Sequence, residues 1–123
     1  MKEPIAYLKG EFVPASKCVL PVHDLGIVLG AAVTDFLRTF DQRPYRMEDH
    51  LRRFYRSCKY AHIEPPVDEE ETMAISERLL AENGALEPGG ELGLVYYITA
   101  GENALYAGAA GMPDTLTPSY VQH

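Results

Sequence analysis

The sequence predicts an α+β domain, and three observations predict it. Short strand-like runs open the chain, two helical patterns follow one another through the middle, and strand-forming residues return at Glu91–Thr99 and Ser119–Gln122. Strands and helices are therefore segregated along the chain, not alternated as βαβ units. At 123 residues and 46% hydrophobic content, the chain can bury one core.

Ile5–Val13 reads as two short strands hinged at Lys9-Gly10, where Gly10 can take positive φ. Asp24 is placed to cap a short apolar turn that Gly30 closes. Ala31–Phe40 is expected to form a long strand, because Val33, Thr34, Phe36, Thr39 and Phe40 are strand formers. Asp41-Gln42-Arg43-Pro44 is expected as a turn, with Tyr45-Arg46-Met47 returning as the second arm of a hairpin. A helix should follow from about Glu48 to Ala61, since Leu51, Phe54, Tyr55 and Cys58 fall at helical spacing. Glu64-Pro65-Pro66 ends it.

Asp68 to Glu71 loads the next helix N-terminus with anions that suit its dipole. That helix is expected to run to Glu82 and to stop at Asn83-Gly84. Glu91–Thr99 reads as a strand buried on both faces, and Gly101–Pro113 as a loop or linker. Ser119–Gln122 has the look of a further strand, unpaired at the end of the sequence, which predicts a protein that continues beyond it.

A formal net charge of -7 argues against sequence-independent nucleic-acid binding. No apolar run reaches bilayer length, and Met1-Lys2-Glu3-Pro4 lacks the layout of a secretory signal. Cys18 and Cys58 make neither a disulfide framework nor a zinc motif. A cytoplasmic address with no membrane partner is the expectation.

Against that acidic background, Arg52, Arg53 and Arg56 crowd one helix, which suggests a small anionic ligand, with phosphate the first candidate. Arg52 and Arg56 share a helix face, while Arg53 borders the apolar stripe of Leu51, Phe54 and Cys58. Partial burial there would strengthen its hold on an anion. The alternative is a solvated basic face paired with Glu48, Asp49 and Asp41.

On the long strand, period 2 groups Arg38 with Thr34, Phe36 and Phe40, and Asp35 with Val33, Leu37 and Thr39. One face must carry a charge among apolar groups, and the pattern leaves open which. His50 is a candidate base or a local partner of Asp49. Tyr96, Tyr97 and Tyr106 are pocket linings or core. The chain lacks a P-loop, a nucleophile elbow and a His-Glu-x-x-His pair.

YLKGEFVP, VHDLGIVLG, the strand ending LRTF and above all PYRMEDHLRRFYRSC resemble the class IV aminotransferases. These are fold-type IV pyridoxal-phosphate enzymes, among them the branched-chain and D-amino-acid aminotransferases. The likeness covers nearly the whole chain, and x-[ED]-H-[LI]-x-R-[LF] is its most specific part. It implies a small antiparallel sheet flanked by two helices, the family's N-terminal domain. Residues 1–112 would form that domain, and 113–123 the start of the connection to a C-terminal domain absent from this sequence. The implied cofactor is pyridoxal 5'-phosphate, with Arg53 as its phosphate ligand and Arg52 solvated. Thr34, Arg38 and Tyr97 become candidate substrate contacts. An amino acid or amine and a 2-oxo acid are the implied substrates. The implied assembly is a homodimer, in which the loop from Gly101 to Gly111 reaches a neighbour's site.

Departures from the family pattern bear on specificity. Gly30-Ala31-Ala32-Val33-Thr34-Asp35 replaces G-[DE]-G-V-[FY]-E, so Thr34 stands where an aromatic lines the pocket. Thr99-Ala100-Gly101 replaces the T-R-G of D-amino-acid enzymes, and Val95 or a near neighbour replaces the arginine of the branched-chain Y-I-R-P motif. None of Lys2, Lys9, Lys17 or Lys59 matches the family's catalytic lysine, so no catalytic residue is assigned and the chain alone is expected to be inactive. Two other functions are weighed: an aminodeoxychorismate lyase using the same cofactor, and a non-catalytic dimerisation or ligand-binding module.

Overall fold

The computed structural model describes residues 2–103 and 117–123. Strands β1 (Ile5–Leu8) and β2 (Glu11–Pro14) form the expected hairpin, with φ of 50° at Lys9 and 98° at Gly10. A 3-10 turn at Ala15–Lys17 leads toward the short helix α1 (Leu25–Val28). Asp24 caps α1 by accepting from the Gly26 N–H at 2.8 Å. The long strand is β3 (Ala32–Phe40), followed by β4 (Arg43–Pro44). Helices α2 (Met47–Ala61) and α3 (Glu69–Gly84) come next, then β5 (Gly93–Thr99) and β6 (Ser119–Gln122).

All six strands join one antiparallel sheet in the order β2-β1-β6-β5-β3-β4. Helices α2 and α3 cover one face. Leu51, Phe54 and Cys58 of α2 and Ile75 and Leu79 of α3 pack there with Leu37, Tyr96, Ile98 and Tyr120 of the sheet. Burying a side chain such as Leu51 or Phe54 stabilises the fold by roughly 1.5–3 kcal/mol. The architecture is the expected small antiparallel sheet with two flanking helices, plus the single turn of α1.

Four expectations need correction. The hairpin after β3 turns within Asp41-Gln42, whose φ values of 54° and 59° make a two-residue turn of the primed type. Its return arm is Arg43–Pro44, not Tyr45–Met47, and Met47 already belongs to α2.

Helix α3 passes through Asn83-Gly84 instead of stopping at Glu82. The Asn83 side chain is taken up elsewhere: its amide donates to the Ile5 carbonyl at 2.9 Å, and its oxygen accepts from the Ile5 N–H at 2.8 Å.

Finally, Ser119–Gln122 is a strand as expected, but it is not unpaired. It lies between β1 and β5, and all four of its residues are buried. Strand β5 also departs from expectation at Val95 and Tyr97, which are only partly buried because they point away from the helices. Tyr106 and most of the Gly101–Gly111 loop lie outside the described residues.

Candidate functional site

Strand β3 resolves the choice between Asp35 and Arg38. Asp35, Leu37 and Thr39 are buried, while Thr34, Phe36, Arg38 and Phe40 are exposed. The charge on the core-facing side is therefore the Asp35 carboxylate, whose side chain is only 3% exposed. Such burial is tolerable when every lone pair is used. Oδ2 accepts from Arg53 Nε at 2.8 Å, and Oδ1 accepts from Arg53 Nη2 at 2.7 Å and from the Phe36 N–H at 2.8 Å.

His50 adds a further donor, with Nδ1 2.9 Å from Asp35 Oδ1. An ionised carboxylate can only accept, so this contact assigns the proton to Nδ1. The structure thus pairs His50 with Asp35, where sequence proximity points to Asp49. Burial pushes the Asp35 carboxyl up, but hydrogen bonds and charge from Arg53 and His50 outweigh it and hold the group below the usual carboxylate range. The hydrogen bond to Asp35, then its charge, pushes the Arg53 guanidinium above its ordinary value.

The expected partial burial of Arg53 is not what the structure shows. Its side chain is 57% exposed, so what orders it is the bidentate pair with Asp35. Arg53 lines a cleft of about 440 Å³ with Tyr45, Arg46, Asp49, His50, Arg52 and Arg56. Arg46 and Arg52 both pair with Asp49, at 2.8 and 3.3 Å, and Arg52 is solvated as expected. The basic-face alternative thus holds for these two residues but not for Arg53. Arg56 meets no acidic partner among the described residues. Helix periodicity places it with Arg52 but gives no sign that it is unpaired.

Thr34, Arg38 and Tyr97 sit on the opposite face of the sheet. Thr34 is the cross-strand partner of Tyr97, and Arg38 pairs in register with Gly93. The Arg38 guanidinium stacks over Phe40 at 4.1 Å, and its Nε donates to the Thr39 carbonyl at 3.0 Å. Tyr97 is partly buried, and burial, then Asp24, pushes its phenol up. None of the three lines the arginine cleft. Between the two faces runs the edge of β3, which β4 covers only at Thr39 and Phe40. Of the other tyrosines, Tyr96 is fully buried core, its hydroxyl 3.0 Å from Ser76 Oγ.

A larger hollow of about 760 Å³ is lined by Tyr7, Lys9, Glu71, Glu102 and Tyr120 among others. Two carboxylates meet one lysine there, and Lys9 is tied to Glu102 at 3.0 Å. That balance disfavours a phosphate, whereas the smaller arginine cleft carries an excess of positive groups. No helix among the described residues is long and apolar enough to cross a membrane.

Comparison with known proteins agrees with the fold. The chain is 28% identical over 83 residues to a D-alanine aminotransferase of Staphylococcus epidermidis, a span of 68% of this chain and 29% of that protein. Its fold matches the branched-chain amino acid aminotransferase of Escherichia coli with a TM-score of 0.81 at 17% identity, covering 98% of this chain and 39% of that one. A branched-chain aminotransferase of Thermoproteus uzoniensis, solved with norvaline, matches with a TM-score of 0.71 at 17% identity, over 98% of this chain and 39% of that one. The chain therefore spans less than half the length of each of these proteins. The model of the amino-transferase class IV family matches residues 32–121, from the first residue of β3 into β6, and the chain belongs to that family.

Proposed function

We propose that this chain is the N-terminal domain of a pyridoxal-phosphate-dependent aminotransferase that moves an amino group between an amino acid or amine and a 2-oxo acid. The observation that carries this reading is Arg53, a guanidinium fixed by a nearly buried carboxylate at the mouth of a cationic cleft, in a chain of this family. The cleft fits a phosphate monoester. Four guanidiniums face two carboxylates, Asp49 and Asp35, which leaves two positive charges for a group that is close to dianionic near neutral pH. Arg53 would anchor the phosphate through the N–H groups not given to Asp35, while the two uncompensated charges come from Arg56 and from Arg46 and Arg52, which share Asp49. The cofactor, when bound, supplies the electron-withdrawing ring on which amino exchange depends.

A phosphate held at Arg53 would lie close to β3, since Arg53 is paired with Asp35 of that strand. Thr34 and Arg38 project from that strand on its outer face, with Tyr97 beside Thr34, so these three residues are the proposed substrate contacts. Arg38 suits a carboxylate, and Thr34 leaves room where a larger residue would close the wall. In this reading the amino-transferring lysine belongs to a second domain. Strand β6 is part of the sheet, which supports reading the connection to that domain as following Gln122. A cytoplasmic homodimer belongs to the same reading, as the resemblance implies.

The test is Arg53→Ala in the complete protein, followed by titration with pyridoxal 5'-phosphate. Affinity should fall by roughly tenfold or more, the scale of losing a charge-assisted contact to phosphate. Unchanged affinity would remove the central claim.

A further inference from the structure

We infer that Asp35 is a positioning residue for anion binding: it holds Arg53 in one orientation at the lining of the cleft, with the donors that Asp35 does not take left for an anion. The inference rests on the reading of Arg53 as the phosphate ligand and concerns how that residue is made ready. A guanidinium carries five N–H donors in a rigid plane. Two of them, on Nε and Nη2, are given to the Asp35 carboxylate at 2.8 and 2.7 Å, and Nη2 also lies 3.3 Å from His50 Nδ1. The plane of the guanidinium, and with it the direction of its other donors, is then fixed by strand β3, not by the anion.

Asp35 is itself immobile. The Phe36 N–H and His50 Nδ1 complete its coordination, and it sits on the core face of β3 between Val33 and Leu37, in register with buried Tyr96. Arg53 is otherwise more than half exposed, and an exposed arginine keeps most of its rotamers. Ordering it before the ligand arrives removes an entropic cost that binding would otherwise meet.

The inference makes a prediction of opposite sign to the plain electrostatic one. A carboxylate beside the site repels a phosphate, so removing its charge alone should tighten anion binding. If Asp35 acts by positioning, Asp35→Asn weakens binding instead, by roughly threefold to tenfold, the cost of immobilising one long side chain. Asp35→Glu keeps both oxygens and the charge and should recover most of the affinity.

Pyridoxal 5'-phosphate and inorganic phosphate serve as probes, titrated calorimetrically into wild type, Asp35→Asn, Asp35→Glu and Arg53→Ala. A readout that needs no variant is the Arg53 Nε–H resonance of the wild-type protein. It should be protected from solvent exchange before any phosphate is added. Weaker binding by Asp35→Asn with rescue by Asp35→Glu supports the inference. Equal or tighter binding by Asp35→Asn overturns it, and so does an Nε–H that becomes protected only when phosphate binds. If Arg53→Ala binds both probes as wild type does, the phosphate reading itself fails. If Arg53→Ala loses binding while Asp35→Asn does not, only the positioning role is lost.

Discussion

Asp35 couples the site to acid stability. Its folded pKa lies below the ordinary carboxylate range, near 3.9 in an unfolded chain, so the stability it contributes is present above about pH 4. That contribution is lost as pH falls through the folded value, because the unfolded state then binds the extra proton. Thermal melts of wild type should therefore drop on acidification below about pH 4, and those of Asp35→Asn, which has no proton to gain there, should drop less. A parallel loss in both proteins would show that other carboxylates dominate. Arg53 and its cleft are legible in the sequence because an arginine cluster is conspicuous on an acidic chain. Asp35 stays ambiguous there, because a period of 2 groups residues by face without saying which face is covered. Only the packing of α2 against β3 decides that, and the same packing brings His50 to Asp35 in place of its neighbour Asp49.

At the scale of elements, two close fits set how helices meet the sheet. Asn83 clasps both backbone groups of Ile5, joining the end of α3 to β1. Asn83→Ala leaves those groups to find water and should cost about 1–3 kcal/mol, measured by denaturant unfolding. Gly26 lies where α1 rests on β5: a Cβ there would stand 2.4 Å from Thr99 Cγ2 and 2.9 Å from the Tyr97 hydroxyl. Gly26→Ala should push α1 off the sheet and destabilise the fold by roughly 1–3 kcal/mol, and it should shift the Tyr97 ring signals in NMR. A silent substitution would mean that α1 is loosely seated. Strand β3 and both long helices are readable from periodicity, since each has one covered face. The end of α3 is not, because Asn and Gly stop a helix only when no tertiary partner competes for them, and here Ile5 takes Asn83.

At the scale of the whole molecule, the sheet depends on four residues from the far end of the sequence. β6 bridges the β2-β1 pair and the β5-β3-β4 trio, with Val121 opposite both Leu8 and Tyr97. Proline at Val121 would remove a ladder donor from an interior strand, and circular dichroism should show loss of the cooperative transition. Retention of a single sharp transition would mean that the two parts of the sheet hold together without β6. Sequence pattern identifies β6 as a strand but gives it no neighbours, because strand order depends on contacts far apart along the chain. This order also bears on synthesis. As the polypeptide leaves the ribosome, β1 and β2 emerge more than a hundred residues before Ser119 and cannot join the other strands until it follows. Their apolar faces wait in two separate pieces until β6 is made, so the sheet cannot close before then and the nascent domain is most exposed to chaperones, and to aggregation, just before β6 appears.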